Sequence, residues 1–452
     1  MTYGGSLVAL VRPYYGFLIY VCFSIIRPES LWHWSVPAGN YSRIIAISFL
    51  IGWAINGFGN WRLGGARRPA MMLAMYWFWA LLSTLFCQEP QVGLAFLENM
   101  AKIVLPAIAG LTLINSRRDV YALAWTIAGS IGYVAYDLNN SYFSGFNRLE
   151  FAGFGGMDNN SWTIGLVTGV GFCFFLGLAE TVWWRRYLAW GFAAFLTHAV
   201  LFSFSRGGML GLIVVGMATA WLIPKSPKNI ALMTLGLVVG LAMAGPEVVK
   251  RFSTTTNTSL TGSSDIEASA ESRIELWGIC LRMTAESPLF GKGPDHFPLL
   301  VHLYNVQGTA GMQYNQGKEA HTLWFQIAAE LGIPGVMFLF LYYALTVTGL
   351  YRYTRLDRTD SQGLTPGATA RMVTAALVGF IVSAQFVTLE GLEIPYYVAI
   401  VGLGSLKLAT TTEAHESDGE SDCESTGGDS SDFHEPTTPW AESFVGQPLG
   451  VS

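Results

Sequence analysis

Apolar runs long enough to cross a hydrocarbon layer recur along almost the whole of this chain, and no other feature restricts its fold as much. A helix needs roughly 20 predominantly apolar residues to span that layer. Windows of about 19 residues place twelve such segments near 7–26, 42–59, 69–87, 97–114, 119–136, 161–181, 187–204, 207–223, 229–248, 334–351, 370–389 and 393–408. Charge agrees with this reading: 13% of the 452 residues are charged and 52% are hydrophobic, against a charged share of about a quarter in soluble domains. The expected fold class is an all-α polytopic membrane protein of about 12 transmembrane helices, with a large periplasmic loop that contains short amphipathic helices.

The net charge of −5 conceals two unlike parts. Residues 409–452 hold ten Asp or Glu and no Lys or Arg, which leaves the rest of the chain at +5. That tail is rich in Ser, Gly and acid and poor in apolar residues, so burial cannot offset its ordering entropy. The expected organisation is therefore residues 1–150 with the first five spans, a core over 151–408 interrupted by a loop at about 246–320, and a disordered acidic tail over 409–452.

Cytoplasmic loops collect Lys and Arg. With the N-terminus inside, fifteen basic residues fall in inside segments and five (Arg27, Arg43, Lys102, Arg148 and Arg206) in short outside loops; the remaining six lie in the long loop. This places both termini in the cytoplasm and the long loop, with the segment 137–160, on the outer side of the membrane. The first apolar run lacks a cleavage site behind it, so it is expected to remain in the protein. Cys22, Cys87, Cys173, Cys280 and Cys423 are scattered without a Cys-x-x-Cys pair and suggest neither a metal nor a redox framework.

Four outer-side constellations carry candidate chemistry. In FSRGGMLG, Arg206 sits between two spans, where an unpaired cation is costly; it either snorkels to headgroups or binds an anion, with Gly207 and Gly208 allowing a tight turn and close approach of backbone or ligand. In IEASAESRIELWGICLRM, Ile266, Ala270, Ile274, Trp277 and Leu281 share helical spacing, and Arg273 lies beside that face as a solvated charge or a ligand for an anion. In EAHTLWFQIAAELGIPG, a continuous helix from Thr322 to Leu350 would be about 43 Å long, too long for one upright span. Gly332 and Pro334 should break it, leaving His321 at the head of a short surface helix, where it either merely marks an interface or, with the dipole favouring a neutral imidazole, serves as a base. In GFGGMDNNSW, Asp158, Asn159 and Asn160 precede a span, and ordinary N-capping explains them more simply than a ligand role.

No Gly-x-x-x-x-Gly-Lys-Ser/Thr loop or His-Glu-x-x-His motif occurs, which argues against ATP-driven work and zinc hydrolysis. A flippase or transporter is the reading of another class; the scarcity of mid-depth charges argues against it.

The chain resembles the O-antigen ligase and polymerase superfamily in SRGG after an apolar span, the Arg273-x-x-x-Trp277 helix, a G-x-G-x-x-x-F turn (Gly291, Gly293, Phe297) and His321 leading into E-L-G-I-P-G. Its N-terminal RPYYGFLIYVCFSIIRPESLWHW is further similar to the branch of O-glycosylation ligases associated with exosortase systems. The resemblance implies transfer of a glycan from a polyprenyl-diphosphate carrier to a hydroxyl acceptor, glycan or protein, at the periplasmic face, without metal, cofactor or nucleic acid. It further implies that Arg206 and Arg273 hold the diphosphate, that His321 is the general base and that Asn160 contacts substrate. A polymerase of lipid-linked repeat units is the neighbouring alternative. Thr322 stands where the family commonly has asparagine; a threonine there is expected still to cap the helix.

Overall fold

The structure, a computed structural model, describes residues 2–32, 34–36, 39–243, 264–304, 317–356, 364–389 and 391–425. It divides into two units, Met1–Thr410 and Thr411–Ser452. Among the described residues every regular element is helical. The first eight helices are α1 (Thr2–Val11), α2 (Pro13–Ile26), α3 (Pro28–Leu31), α4 (Tyr41–Ile55), α5 (Arg67–Thr84), α6 (Pro90–Leu113), α7 (Arg117–Phe143) and α8 (Arg148–Ala152). They are followed by α9 (Asn159–Ala179), α10 (Trp183–Phe202), α11 (Arg206–Leu222), α12 (Pro227–Met243), α13 (Ser264–Glu286), α14 (Phe297–Leu300), α15 (Leu323–Tyr351), α16 (Pro366–Ser383) and α17 (Glu393–Ser425).

Helix falls in each of the twelve segments read from the sequence, though α4 stops at Ile55, α16 stops at Ser383 and the end of the segment 229–248 lies outside the described residues. Among the described residues four stretches, Pro90–Leu113, Asn159–Ala179, Leu323–Arg355 and Pro366–Ser383, are long and apolar enough to cross a membrane. The described structure is thus all-α, consistent with a membrane protein, with four of the twelve expected spans meeting that measure. The first expected span is not one helix. Pro13 lacks an N–H and disfavours helical geometry at the preceding residue, so Arg12 leaves the helical region (φ −130°, ψ 78°) and α1 separates from α2. The two pack against each other and against α4.

Helix α9 lies at the centre of the first unit, packed on α7, α10, α11 and α16. Its side chains are buried on almost every side, with Trp162, Phe172 and Phe175 among the largest. A helix that is apolar all round is expected in such a position. Capping agrees with local chemistry: Ser116 and Asp119 form a reciprocal capping box at the start of α7.

Helix α17 continues through Ser425, so residues 409–425 are helical where composition alone suggested disorder. Extending an existing helix avoids the nucleation cost, and Ala and Glu in this stretch favour it. The remainder of the expected tail, 426–452, lies outside the described residues, as does 244–263 of the long loop.

Candidate active site

The long apolar stretch after His321 breaks where its length required. Gly332 adopts φ 71° and ψ −174° within α15. A Cβ there would stand 2.2 Å from the Leu289 carbonyl oxygen, so glycine meets both a backbone and a spatial need. The break strands backbone groups that must find partners elsewhere. The Ile333 N–H donates to the Pro288 carbonyl at 2.8 Å, while the Lys292 and Gly293 N–H groups donate to the carbonyls of Ala329 and Glu330 at 3.0 and 2.9 Å. The Trp79 indole donates to the Leu331 carbonyl at 2.9 Å.

The G-x-G turn and the E-L-G-I-P-G break are therefore two halves of one joint. Gly291 (φ 65°) and Gly293 (φ 110°) bend the turn onto α15, and a Cβ at Gly291 would meet the Glu330 carbonyl at 2.3 Å. Glu330, 1% exposed, locks the joint. Its carboxylate accepts the N–H groups of Asp295 at 2.9 Å and Phe297 at 3.0 Å, which fixes the start of α14. Phe297 is buried with Leu276, Ile279, Cys280, Met283 and Ala329.

That cluster corrects the expected face of α13. Leu276, Ile279, Cys280 and Met283 are buried, whereas Ile274 and Leu281 are 65% and 55% exposed; the side chains of Ile266 and Ala270 lie outside the described residues. Helix α13 packs on α15, and Trp277 makes the decisive contact. Its indole N–H donates to the Ala320 carbonyl at 3.2 Å, and its ring meets Phe325 edge-on at 5.6 Å. Arg273, one turn earlier, is thereby carried to His321. Arg273, His321, Lys318, Ser272 and Leu276 line a cavity of about 250 Å³.

Arg206 opens α11, preceded by Ser205, whose hydroxyl accepts the Gly208 N–H at 3.3 Å. The turn itself is made by Phe204 (φ 54°) and not, as expected, by the two glycines. Those serve close approach: a Cβ at Gly207 would stand 2.9 Å from Phe386 and one at Gly208 2.2 Å from Thr163. A cation in the first turn opposes the helix dipole, so its position calls for an anionic partner. Burial, and behind it the charge of Arg206, lowers the Arg273 guanidinium below its ordinary value. The two cations thus repel each other, an arrangement that a bound anion would relieve.

His321 precedes α15 with φ 51°. Burial, then the charge of Arg273, depresses its pKa below the usual histidine value; Asp158 opposes this and Lys318 adds to it. The imidazole is consequently neutral at pH 7 and able to accept a proton. Thr322 holds the N-cap position but makes no cap bond, contrary to expectation; its hydroxyl is buried without a partner.

Asp158, not an asparagine, caps α9: its carboxylate accepts the Ser161 N–H at 3.0 Å. The Asn160 side chain donates to that carboxylate at 3.3 Å, so Asn160 borders the His321 environment through Asp158. Burial raises the pKa of Glu319, with Asp295 and Asp158 adding to it. Sequence reasoning passed over Glu319, Gln326 and Glu330; acids and an amide inside the apolar approach to a helix break were the available signal. Among the described residues no group of three or more His, Cys, Asp or Glu could hold a metal ion.

Residues 191–340 match the family model described as O-antigen ligase. Residues 5–137 match a family of unknown function (DUF5935). The first match contains Arg206, Arg273, His321 and the joint, while Asn160 falls outside it. No curated protein matches the chain.

Proposed function

We propose that this chain, whose residues 191–340 match the O-antigen ligase family, transfers a glycan from a polyprenyl-diphosphate carrier to a hydroxyl acceptor at the periplasmic face of a bacterial inner membrane. The observation that carries this reading is the meeting of a neutral His321 with Arg273 in one cavity, with the charge of Arg206 close behind.

The guanidinium groups of Arg206 and Arg273 suit the anionic oxygens of a diphosphate. His321 takes the acceptor hydroxyl proton as that oxygen bonds to the anomeric carbon. The bond from the anomeric carbon to the diphosphate breaks at the same time, and its electron pair leaves on the diphosphate. Charge grows on the leaving group, where the two arginines stabilise it. Direct displacement inverts the anomeric centre. Asn160 orients Asp158 at the margin, and the twelve helical segments supply the membrane body.

The test is transfer by the full chain in nanodiscs, supplied with a polyprenyl-diphosphate glycan and candidate acceptors in the presence of EDTA. His321→Ala is expected to lower kcat by about 10²–10⁴, and Arg206→Ala and Arg273→Ala by about 10²–10³ each. Wild-type rates in all three variants would overturn the assignment. The expected product carries one transferred glycan per acceptor; a ladder of lengthening lipid-linked chains would identify a polymerase instead.

A further inference from the structure

His321 occupies a backbone conformation that side chains other than glycine rarely adopt. Such a residue persists only where its surroundings over-determine it. Four hydrogen bonds surround it. On the near side, the Ala320 carbonyl accepts from the Trp277 indole at 3.2 Å, and the Ala320 N–H donates to the Gln326 side-chain oxygen at 2.9 Å. On the far side, the Leu323 N–H donates to the Ala384 carbonyl at 2.9 Å and the Gln326 N–H to the Thr322 carbonyl at 3.2 Å. The Gln326 side chain supplies one of the four; the bond from its backbone N–H is the ordinary helical one that any residue but proline would make there.

Gln326 is 2% exposed and both the oxygen and the nitrogen of its amide are bonded. Besides Ala320, its oxygen accepts the Thr388 hydroxyl at 2.8 Å, and its nitrogen donates to the Glu330 carboxylate at 3.2 Å. That donation fixes which end of the amide faces Ala320. Glu330 in turn holds the N–H groups of Asp295 and Phe297. A continuous chain of bonds thus runs from the G-x-G turn through Glu330 and Gln326 to the residue before His321.

We propose that Gln326 is a positioning residue for the transfer reaction: its side chain sets the attitude of His321 by pinning the backbone immediately before it. The inference rests on the general-base reading of His321. It also explains why the glycine joint and the histidine occur in one short stretch: the joint anchors Glu330, and Glu330 orients the amide that holds the histidine segment. Misplacing a catalytic group by about 1 Å can cost about 10²-fold in rate.

The experiment compares wild type, His321→Gln, Gln326→Leu, Thr388→Val and the exchange pair Gln326→Glu with Glu330→Gln, all full-length in nanodiscs, over pH 5–9. Gln326→Leu is expected to lower kcat about tenfold to a hundredfold with the donor KM unchanged, and Thr388→Val to lower it less. The groups that face His321 are Arg273 on α13, Asp158 before α9 and Lys318 on its own segment. Loosening the segment admits water and draws the ring away from Arg273, so the acid limb of the rate profile should move to higher pH. A role confined to stability would leave that limb in place.

The exchange pair keeps an acceptor for Ala320 and a bond between positions 326 and 330, but it turns an amide NH2 toward the Phe297 N–H that Glu330 accepts, so it should recover only part of the rate lost in Gln326→Leu. Should Gln326→Leu aggregate, Thr388→Val carries the comparison by kcat and the acid limb. A wild-type kcat and pH profile in folded Gln326→Leu, or in Thr388→Val where Gln326→Leu does not fold, overturns the proposal while leaving His321 as base. If His321→Gln is itself fully active, the base reading falls first and this inference with it.

Discussion

Trp277 binds the carbonyl of Ala320, the residue before His321, through its indole N–H at 3.2 Å. Arg273 stands one helical turn before Trp277, so this bond, with the apolar face of α13, helps to hold the guanidinium and the imidazole in register. Trp277→Phe retains the ring contact with Phe325 and deletes the donor. It is expected to destabilise the fold by about 1 kcal/mol and to slow transfer about tenfold, with both KM for donor and kcat affected because the two site groups lose register. Steady-state kinetics beside a melting curve checks this; unchanged kinetics would show that α13 is held by its apolar face alone.

The depressed pKa of His321 has a definite sign. Its folded value lies below the ordinary value of about 6.5, so the unfolded chain binds a proton that the folded site resists. Activity is expected to be full at neutral pH and to fall only as pH drops through a value below 6.5. Stability should decline over the same acid range, as pH falls below the unfolded value. Replacing Arg273 by Gln removes a charge that lowers His321, so the acid limb should move upward. A limb that stays in place would mean that burial alone sets the imidazole.

At the break in α15, Gly332→Ala brings a Cβ to 2.2 Å from the Leu289 carbonyl oxygen at φ 71°. The expected loss is about 1–3 kcal/mol from the backbone conformation, and more from the clash. Gly278 on α13 has nothing within 4 Å of a built Cβ. Gly278→Ala should therefore be neutral or slightly stabilising, by about 0.5–1 kcal/mol. Thermal unfolding of the two variants in one detergent distinguishes a required glycine from a permissive one.

Much of this was legible because length arithmetic is severe. A helix from His321 onward overran any single span, and Gly332 and Pro334 were the residues able to stop it. The apolar face of α13 was not legible in the same way. Ile274 and Leu281 share a helical stripe as convincing as that of Leu276, Ile279 and Met283, and periodicity cannot tell a face buried in protein from one left open. The link from Glu330 to Gln326 to Ala320 was hidden for another reason: a carboxylate and an amide four residues apart look like ordinary helix neighbours until the G-x-G turn, more than thirty residues earlier, is folded onto them. Phe204 shows a third limit, since the glycines beside it were the natural choice for the turn it makes.

The placement of Arg206, Arg273 and His321 on the outer side rests on the charge distribution, and it can be tested without activity. In a background lacking the native cysteines, Ala285→Cys on α13 should react with an impermeant maleimide in intact spheroplasts, and Arg62→Cys only after lysis. Both positions are exposed in the structure, so burial cannot account for protection. The reverse pattern would move the site to the cytoplasmic face and rule out a periplasmic acceptor.

Arg27 ties the N-terminal region to the segment before Asp158. Its guanidinium binds the Glu393 carboxylate through contacts of 3.1 and 3.0 Å and also donates to the Gly155 carbonyl. The two charged side chains are only 19% and 18% exposed, so removing either leaves a poorly solvated partner. Arg27→Ala should cost about 1.5–3 kcal/mol, seen as a lower melting temperature, and Glu393→Gln somewhat less. Reversing the pair, Arg27→Glu with Glu393→Arg, restores the ionic attraction but places a carboxylate, which cannot donate, against the Gly155 carbonyl. The reversed protein should therefore recover only part of the stability and should transfer glycan more slowly than wild type. Full recovery of both would mean that the ion pair alone matters and that the Gly155 turn, three residues before Asp158, is held by its own glycines.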